Sequence, residues 1–114
     1  NVPTCAKKMS AENFAAFSKE ADIIINCSPI GMYPHNEASP VANLNINKDT
    51  VICDIIYNPL ETRFLLMAKQ KGLKTINGLG MLVNQGALTL QILLGVVPPV
   101  DFMKEVVRNR LLQE

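Results

Sequence analysis

Residues 50–77 read "TVICDIIYNPLETRFLLMAKQKGLKTIN". "TVICDIIY" is a β-branched, apolar run with no turn former inside it, which suits a strand buried on both faces. "NPLETRFLLMAKQKG" then changes period. Asn58 is placed to be the N-cap of a helix, and Pro59 takes the first helical position, where its missing N–H costs nothing. Glu61 follows three residues after that cap. Leu60, Phe64, Met67 and Ala68 form an apolar stripe, and Gly72 ends the helix. "LKTIN" is a further short strand. Buried strands alternating with a helix indicate an α/β fold with a parallel sheet.

The flanking sequence extends the pattern in both directions. Upstream, Ser10 caps a short helix over 11–20 with Phe14 and Phe17 on one face. "ADIIINCS" follows, and its three consecutive isoleucines again suit a strand buried on both faces. "PIGMYPHNEASP" is a long loop of the kind that often carries function. Downstream, "INGLGMLVNQGA" places Gly78 and Gly80 before a helix over 81–94 that is apolar nearly all round, which predicts burial. "VPP" breaks the chain. Residues 100–114 are amphipathic, with Phe102, Met103, Val106, Val107 and Leu111 on one side. Arg108 and Arg110 near the end complement the helix dipole. Only three strands are visible, whereas a doubly wound sheet usually has about six. The pattern is that of the second half of such a sheet.

Composition excludes several function classes. The 114 residues suit one domain, and 48% hydrophobic content is enough for a core. A net charge of +1, no tryptophan and 5% aromatic residues give no electrostatic or stacking case for nucleic acid. Cys5, Cys27 and Cys53 are widely spaced and odd in number, which reads as buried free thiols in a reducing compartment. With no C-x-x-C pair and His35 the sole histidine, neither a metal site nor a Cys–His pair has support. No apolar run reaches the roughly 20 residues needed to span a bilayer. The opening "NVPTCAKK" has no basic region before an apolar core and no initiator Met. It reads as a processed product, an excised domain or a fragment.

In parallel α/β sheets, ligands sit beyond the carboxyl ends of the strands. "NCSPIGM", "IYNP" and "NGLGM" all meet that rule and belong on one edge of the sheet. Locally, each candidate has two readings. Gly78 and Gly80 either let backbone approach a flat or charged ligand group or serve a tight turn needing positive φ. Val83 stands where the G-x-G-x-x-G fingerprint needs its last glycine, so the turn is not that motif. Gln85, one helical turn after Met81, either meets a polyol or bonds nearby backbone. Asn84 points about 100° away. Tyr57 is a hydroxyl donor to a ligand or an amphipathic rim residue. Asp54, inside an apolar run, favours a structural bond to backbone. Asn26 and Ser28 contact a nucleotide or stabilise their turn. His35 and the lysines at 69, 71 and 74 read as solvated.

Taken together, "IINCSPIGM", "DIIYNPLETRFLLMAKQKG" and "TINGLGMLVNQGALTLQILLG" resemble the C-terminal part of the shikimate dehydrogenase family. The resemblance runs from about residue 10 to the end. It implies a Rossmann-like, three-layer parallel sheet, here incomplete, over about 1–95, with a C-terminal helix over about 99–113. It also implies the family's reaction, reduction of 3-dehydroshikimate to shikimate with NADP in the cytoplasm, as part of aromatic amino acid biosynthesis. By position, Gly78 matches a glycine at the nicotinamide, Ile55 a residue whose backbone meets that ring, and Ser28 a residue near the cofactor ribose. Tyr57 and Gln85 match side chains that bind shikimate hydroxyl or carboxylate groups.

The family's catalytic lysine–aspartate pair has no counterpart in these residues, and neither does its glycine-rich diphosphate loop. The isolated chain is therefore expected to lack activity, to bind NADP weakly and to associate through uncovered apolar surface. A quinate/shikimate dehydrogenase using NAD, and a non-catalytic half-Rossmann assembly module, are the alternatives. Upstream sequence with a diphosphate loop and a lysine-bearing substrate domain would separate enzyme from module.

Overall fold

The computed structural model describes residues 3–113. The elements run α1 (Ala11–Ser18), β1 (Ile23–Asn26), β2 (Val51–Asp54), α2 (Arg63–Gln70), β3 (Lys74–Ile76), α3 (Leu79–Leu94) and α4 (Val100–Leu112). The three strands form one parallel sheet in the order β1-β2-β3. The expected α/β class, parallel sheet and two C-terminal helices are thus what the chain forms. No described helix is long and apolar enough to cross a membrane.

One face of the sheet carries the core. Ile52 packs with Phe64, Leu65 and Ala68 of α2, with Leu73, and with Leu44 from the 27–50 connection; Phe14, Ile24, Val41, Ile46 and Met67 border the cluster. Leu44, 1% exposed, ties the long connection down, a role its polar neighbourhood did not advertise. The opposite face is open. Ile23 and Ile25 of β1 and Ile76 of β3 are more than half exposed. The expectation of strands buried on both faces is therefore corrected. The apolar run marks surface that burial would stabilise, but among the described residues a cover lies on one side only.

Register sets the key polar contact. Asn26 stands opposite Asp54 across the β1–β2 ladder, on the same face as Ile24 and Ile52. Both are buried. Asn26 Nδ2 donates to the Asp54 carboxylate at 3.2 Å, and the Thr62 hydroxyl donates to it at 2.7 Å. The backbone N–H of Ile56 adds a third bond at 3.0 Å. Thr62 is also the N-cap of α2, accepting from Leu65 N–H. The helix therefore begins after Thr62 and not after Asn58, as the local pattern suggested. Thr62 is fixed by its bond to Asp54, a tertiary partner that outweighs the local Asn-Pro signal. Glu61 pairs with Lys69 instead of closing a capping box. Gly72 ends the helix as expected, at φ +74°.

Smaller departures have similar causes. Helix α1 stops at Ser18, and Phe17 is 53% exposed while Phe14 meets the core. Cys5 and Cys27 are exposed and Cys53 is half-buried, so the expected burial holds only in part; all three are free. Burial pushes the Cys53 thiol pKa up. Helix α3 buries the stripe Leu79, Val83 and Ala87, but Leu88, Ile92, Leu93 and Leu94 face outwards. Helix α4 packs on α3 where Met103 approaches Gly86, yet it buries no residue completely. Met103, Val107 and Leu111 are half-buried, while Phe102 and Val106 are exposed.

The start of α3 docks on the end of β2. Gly78 N–H donates to the Ile56 carbonyl at 3.0 Å. A Cβ at Gly78 would lie 2.0 Å from the Ile55 carbonyl oxygen and 2.7 Å from that of Ile56. Gly78 has φ −75°, so a positive-φ turn is not what demands glycine. The demand comes from close approach of the chain's own backbone. Gly80 has nothing within 4 Å of its Cβ position.

Two predictions follow from this packing. Gly78→Ala lowers the free energy of unfolding in urea by about 1–3 kcal/mol or more. Gly80→Ala leaves it unchanged or raises it by up to about 1 kcal/mol. Equal effects would contradict the packing described. Thr62→Ala costs about 2–4 kcal/mol, because it removes a cap and leaves a buried carboxylate one donor short. Thr62→Ser retains most of that stability in the same titration.

Candidate functional site at the strand ends

Parallel strands place the three expected loops along one edge of the sheet. There they enclose a cleft of about 520 Å³. Cys27, Ser28 and Pro29 come from the end of β1, and Ile55, Ile56, Tyr57 and Asn58 from the end of β2. Met81 of α3 closes one side, and Met32 and Tyr33 of the long connection close another. Tyr33 N–H donates to the Asn58 carbonyl at 3.0 Å, which draws the first two loops together. Gly31 turns the chain towards Met32 and Tyr33 at φ +95°, a conformation that favours glycine.

The expected site residues fall into three groups. Ser28, Ile55 and Tyr57 all line the cleft. Gly78 abuts the Ile55–Ile56 backbone that forms one wall. Gln85 does not line it: its exposed amide donates to the Leu82 carbonyl at 2.8 Å, one turn back. Pro29, Tyr33 and Met81 were not singled out as site residues. Met81 had a legible signal, since it follows the glycine turn directly; Tyr33 is brought in only by its bond to the second loop.

Hydrogen bonding fixes the walls. Asn26 Oδ1 accepts from the Ser28 hydroxyl at 2.7 Å and from Ser28 N–H at 3.1 Å. Asn26 and Ser28 therefore do stabilise their turn. Asp54 takes the structural role expected of it, with two side-chain donors added to a backbone N–H. Asn77 holds the third loop, donating to the Leu60 carbonyl at 3.1 Å and accepting from Leu79 N–H at 3.3 Å.

The chemistry available in the cleft is limited and specific. No carboxylate, imidazole, ammonium or guanidinium lines it. It offers apolar walls from Pro29, Ile55 and Met81, with the hydroxyls of Ser28 and Tyr57 among them. Such a site can hold and orient a flat apolar ring and a hydroxylated group. His35 stands away from it, 80% exposed and 4.0 Å from Glu37. No cluster of three or more metal-ligating side chains occurs among the described residues. Another cleft of about 520 Å³ lies between α1 and residues 40–45, and a groove of about 840 Å³ runs from Asn58 to Leu112. Neither gathers residues from more than one strand end, so volume does not select the site; convergence of the strand ends does.

Comparison with known proteins finds the same fold and a matching family model. The family model described as "Shikimate 5'-dehydrogenase C-terminal domain" matches residues 78–108. A protein of Syntrophomonas wolfei named shikimate dehydrogenase (NADP(+)) is 55% identical over 104 residues, covering 90% of this chain and 36% of the relative. The crystal structure of Listeria monocytogenes shikimate 5-dehydrogenase with shikimate and NAD superposes with a TM-score of 0.79 at 31% identity, over 85% of this chain and 34% of that one. That of the Thermus thermophilus enzyme with NADP(H) and shikimate gives 0.74 at 37% identity, over 81% and 35%. The chain thus spans about a third of the length of the proteins it matches. In sequence and in fold, the chain is similar to about a third of these shikimate dehydrogenases, and residues 78–108 match the model of their C-terminal domain.

Proposed function

We propose that this chain forms the cofactor-side wall of an NADP-dependent shikimate dehydrogenase, which interconverts 3-dehydroshikimate and shikimate. The observation that carries this reading is the convergence of Ser28, Ile55 and Tyr57 in one uncharged cleft at the strand ends. The residues present fit a nicotinamide: the backbone beside Gly78 and the side chains of Ile55 and Met81 offer a flat, apolar seat. When bound, NADP supplies the hydride exchanged with the substrate carbonyl.

Every other contribution belongs to orientation. The Ser28 hydroxyl, held by Asn26, lies on the side assigned to the ribose. The Ile55 backbone faces the ring. The Tyr57 phenol, on a residue 41% exposed, is available to a shikimate hydroxyl or carboxylate. Gln85 reaches the substrate by exchanging its exposed bond to Leu82 for one to shikimate. Proton transfer is assigned to the family's lysine–aspartate pair, for which this cleft holds no substitute. Positioning of this kind accounts for a large part of a hydride-transfer rate, because the reacting atoms must meet at near-contact distance.

NADP is the preferred cofactor because the Syntrophomonas wolfei relative carries that name. The Listeria monocytogenes structure with NAD keeps the second dinucleotide as an alternative. The uncovered isoleucines of the sheet and the outer leucines of α3 make self-association the expected state of the chain alone.

Grafting these residues in place of the matching stretch of the Syntrophomonas wolfei relative tests the reading. The graft is expected to oxidise shikimate with NADP+. Tyr57→Phe in it raises KM for shikimate about tenfold, with KM for NADP+ little changed. The 114-residue chain alone is expected to show no turnover; family-like rates from it would overturn the proposal. Sedimentation velocity of that chain is expected to show dimers or larger species, and a monodisperse monomer would contradict the association.

A further inference from the structure

Asn26 bonds at once to the first cleft loop and to Asp54, at the strand end from which the second cleft loop leaves. It is 6% exposed and does not line the cleft. Its Oδ1 accepts both hydrogen bonds from Ser28. Its Nδ2 donates to Asp54 at 3.2 Å and to the Ile30 carbonyl at 3.2 Å. Its own carbonyl accepts from Ile55 N–H at 3.2 Å. The chain of bonds continues from Asp54 to Ile56 N–H, and from the Ile56 carbonyl to Gly78 N–H. Ser28, Asn26, Asp54, Ile56 and Gly78 therefore form one line of hydrogen bonds that crosses all three strand ends.

We propose that Asn26 is a positioning residue for the cofactor: its buried amide couples the Ser28 loop to the Asp54–Ile56 turn, and through that turn to Gly78. The proposal rests on the reading that this cleft seats NADP. Two features separate it from simple stabilisation of a fold. The side-chain hydrogen bonds of Asn26 go to Ser28 and Ile30 of the first cleft loop and to the Asp54 that shapes the second. An asparagine alone among similar-sized side chains presents an acceptor to one loop and a donor to a carboxylate on the other. Aspartate, of the same shape, would set an acceptor against an acceptor.

Two experiments with Asn26→Asp and Asn26→Ala decide the matter. In the 114-residue chain, amide hydrogen exchange is expected to speed up at least about tenfold at Ser28 and Ile56 together, while Ile52 and Ala68 stay protected. In the graft, KM for NADP+ is expected to rise about tenfold, with kcat within about threefold of the parent. Loosening confined to Ser28 would overturn the coupling. Loss of protection at Ile52 and Ala68 in both variants would make Asn26 a fold residue and also overturn it. An unchanged KM in a graft whose parent is active would overturn the positioning role. An inactive parent graft would instead count against the function proposed above, and the exchange result would still decide whether Asn26 couples the loops.

Discussion

A buried carboxylate organises this structure. Asp54 is 3% exposed and lies at the end of the central strand, where an unpaired charge would cost several kcal/mol. Its stability there depends on donors converging from three directions. Asn26 reaches it from β1, Thr62 from the start of α2, and Ile56 from its own turn. Each bond fixes something beyond the carboxylate. Thr62 sets where α2 begins and hence how Phe64 and Leu65 enter the core. Asn26 sets the first loop. Ile56 sets the bend that carries Tyr57 to the cleft and offers its carbonyl to Gly78.

The same arrangement separates two kinds of polarity in one small region. Asp54 and Asn26 face the core side of the sheet and are consumed by internal bonds. Ser28 and Tyr57 face the cleft, where no charged group competes with a ligand. A cleft without charge suits a hydride acceptor or donor that must be held close while proton chemistry is handled by other groups.

Much of this was legible in the sequence, and the remainder has identifiable physical reasons for being hidden. Strand and helix order followed from the change of period between "VICDII" and "RFLLMAK", and the parallel sheet followed from that order. The three cleft loops followed from the strand ends. The helix start did not, because Asn58-Pro59 is the stronger local signal and the partner that fixes Thr62 is eight residues away on a strand. The purpose of Gly78 was also hidden. Its glycine serves contact with a carbonyl more than twenty positions earlier, and not a positive φ. The isoleucines of β1 and the leucines of α3 announced surface suited to burial. Whether a cover exists among these residues is a tertiary fact that periodicity does not contain.

The strand-end cleft, shaped by Asp54, is proposed to seat the nicotinamide half of NADP. Chemical-shift mapping of backbone amides in the graft, titrated with NADP+ and with nicotinamide mononucleotide, tests it most directly. Perturbations shared by both ligands and centred on Ser28, Ile55, Tyr57 and Gly78 are the predicted result. Shifts centred instead on the groove between α1 and residues 40–45, with the strand ends unmoved, would contradict it.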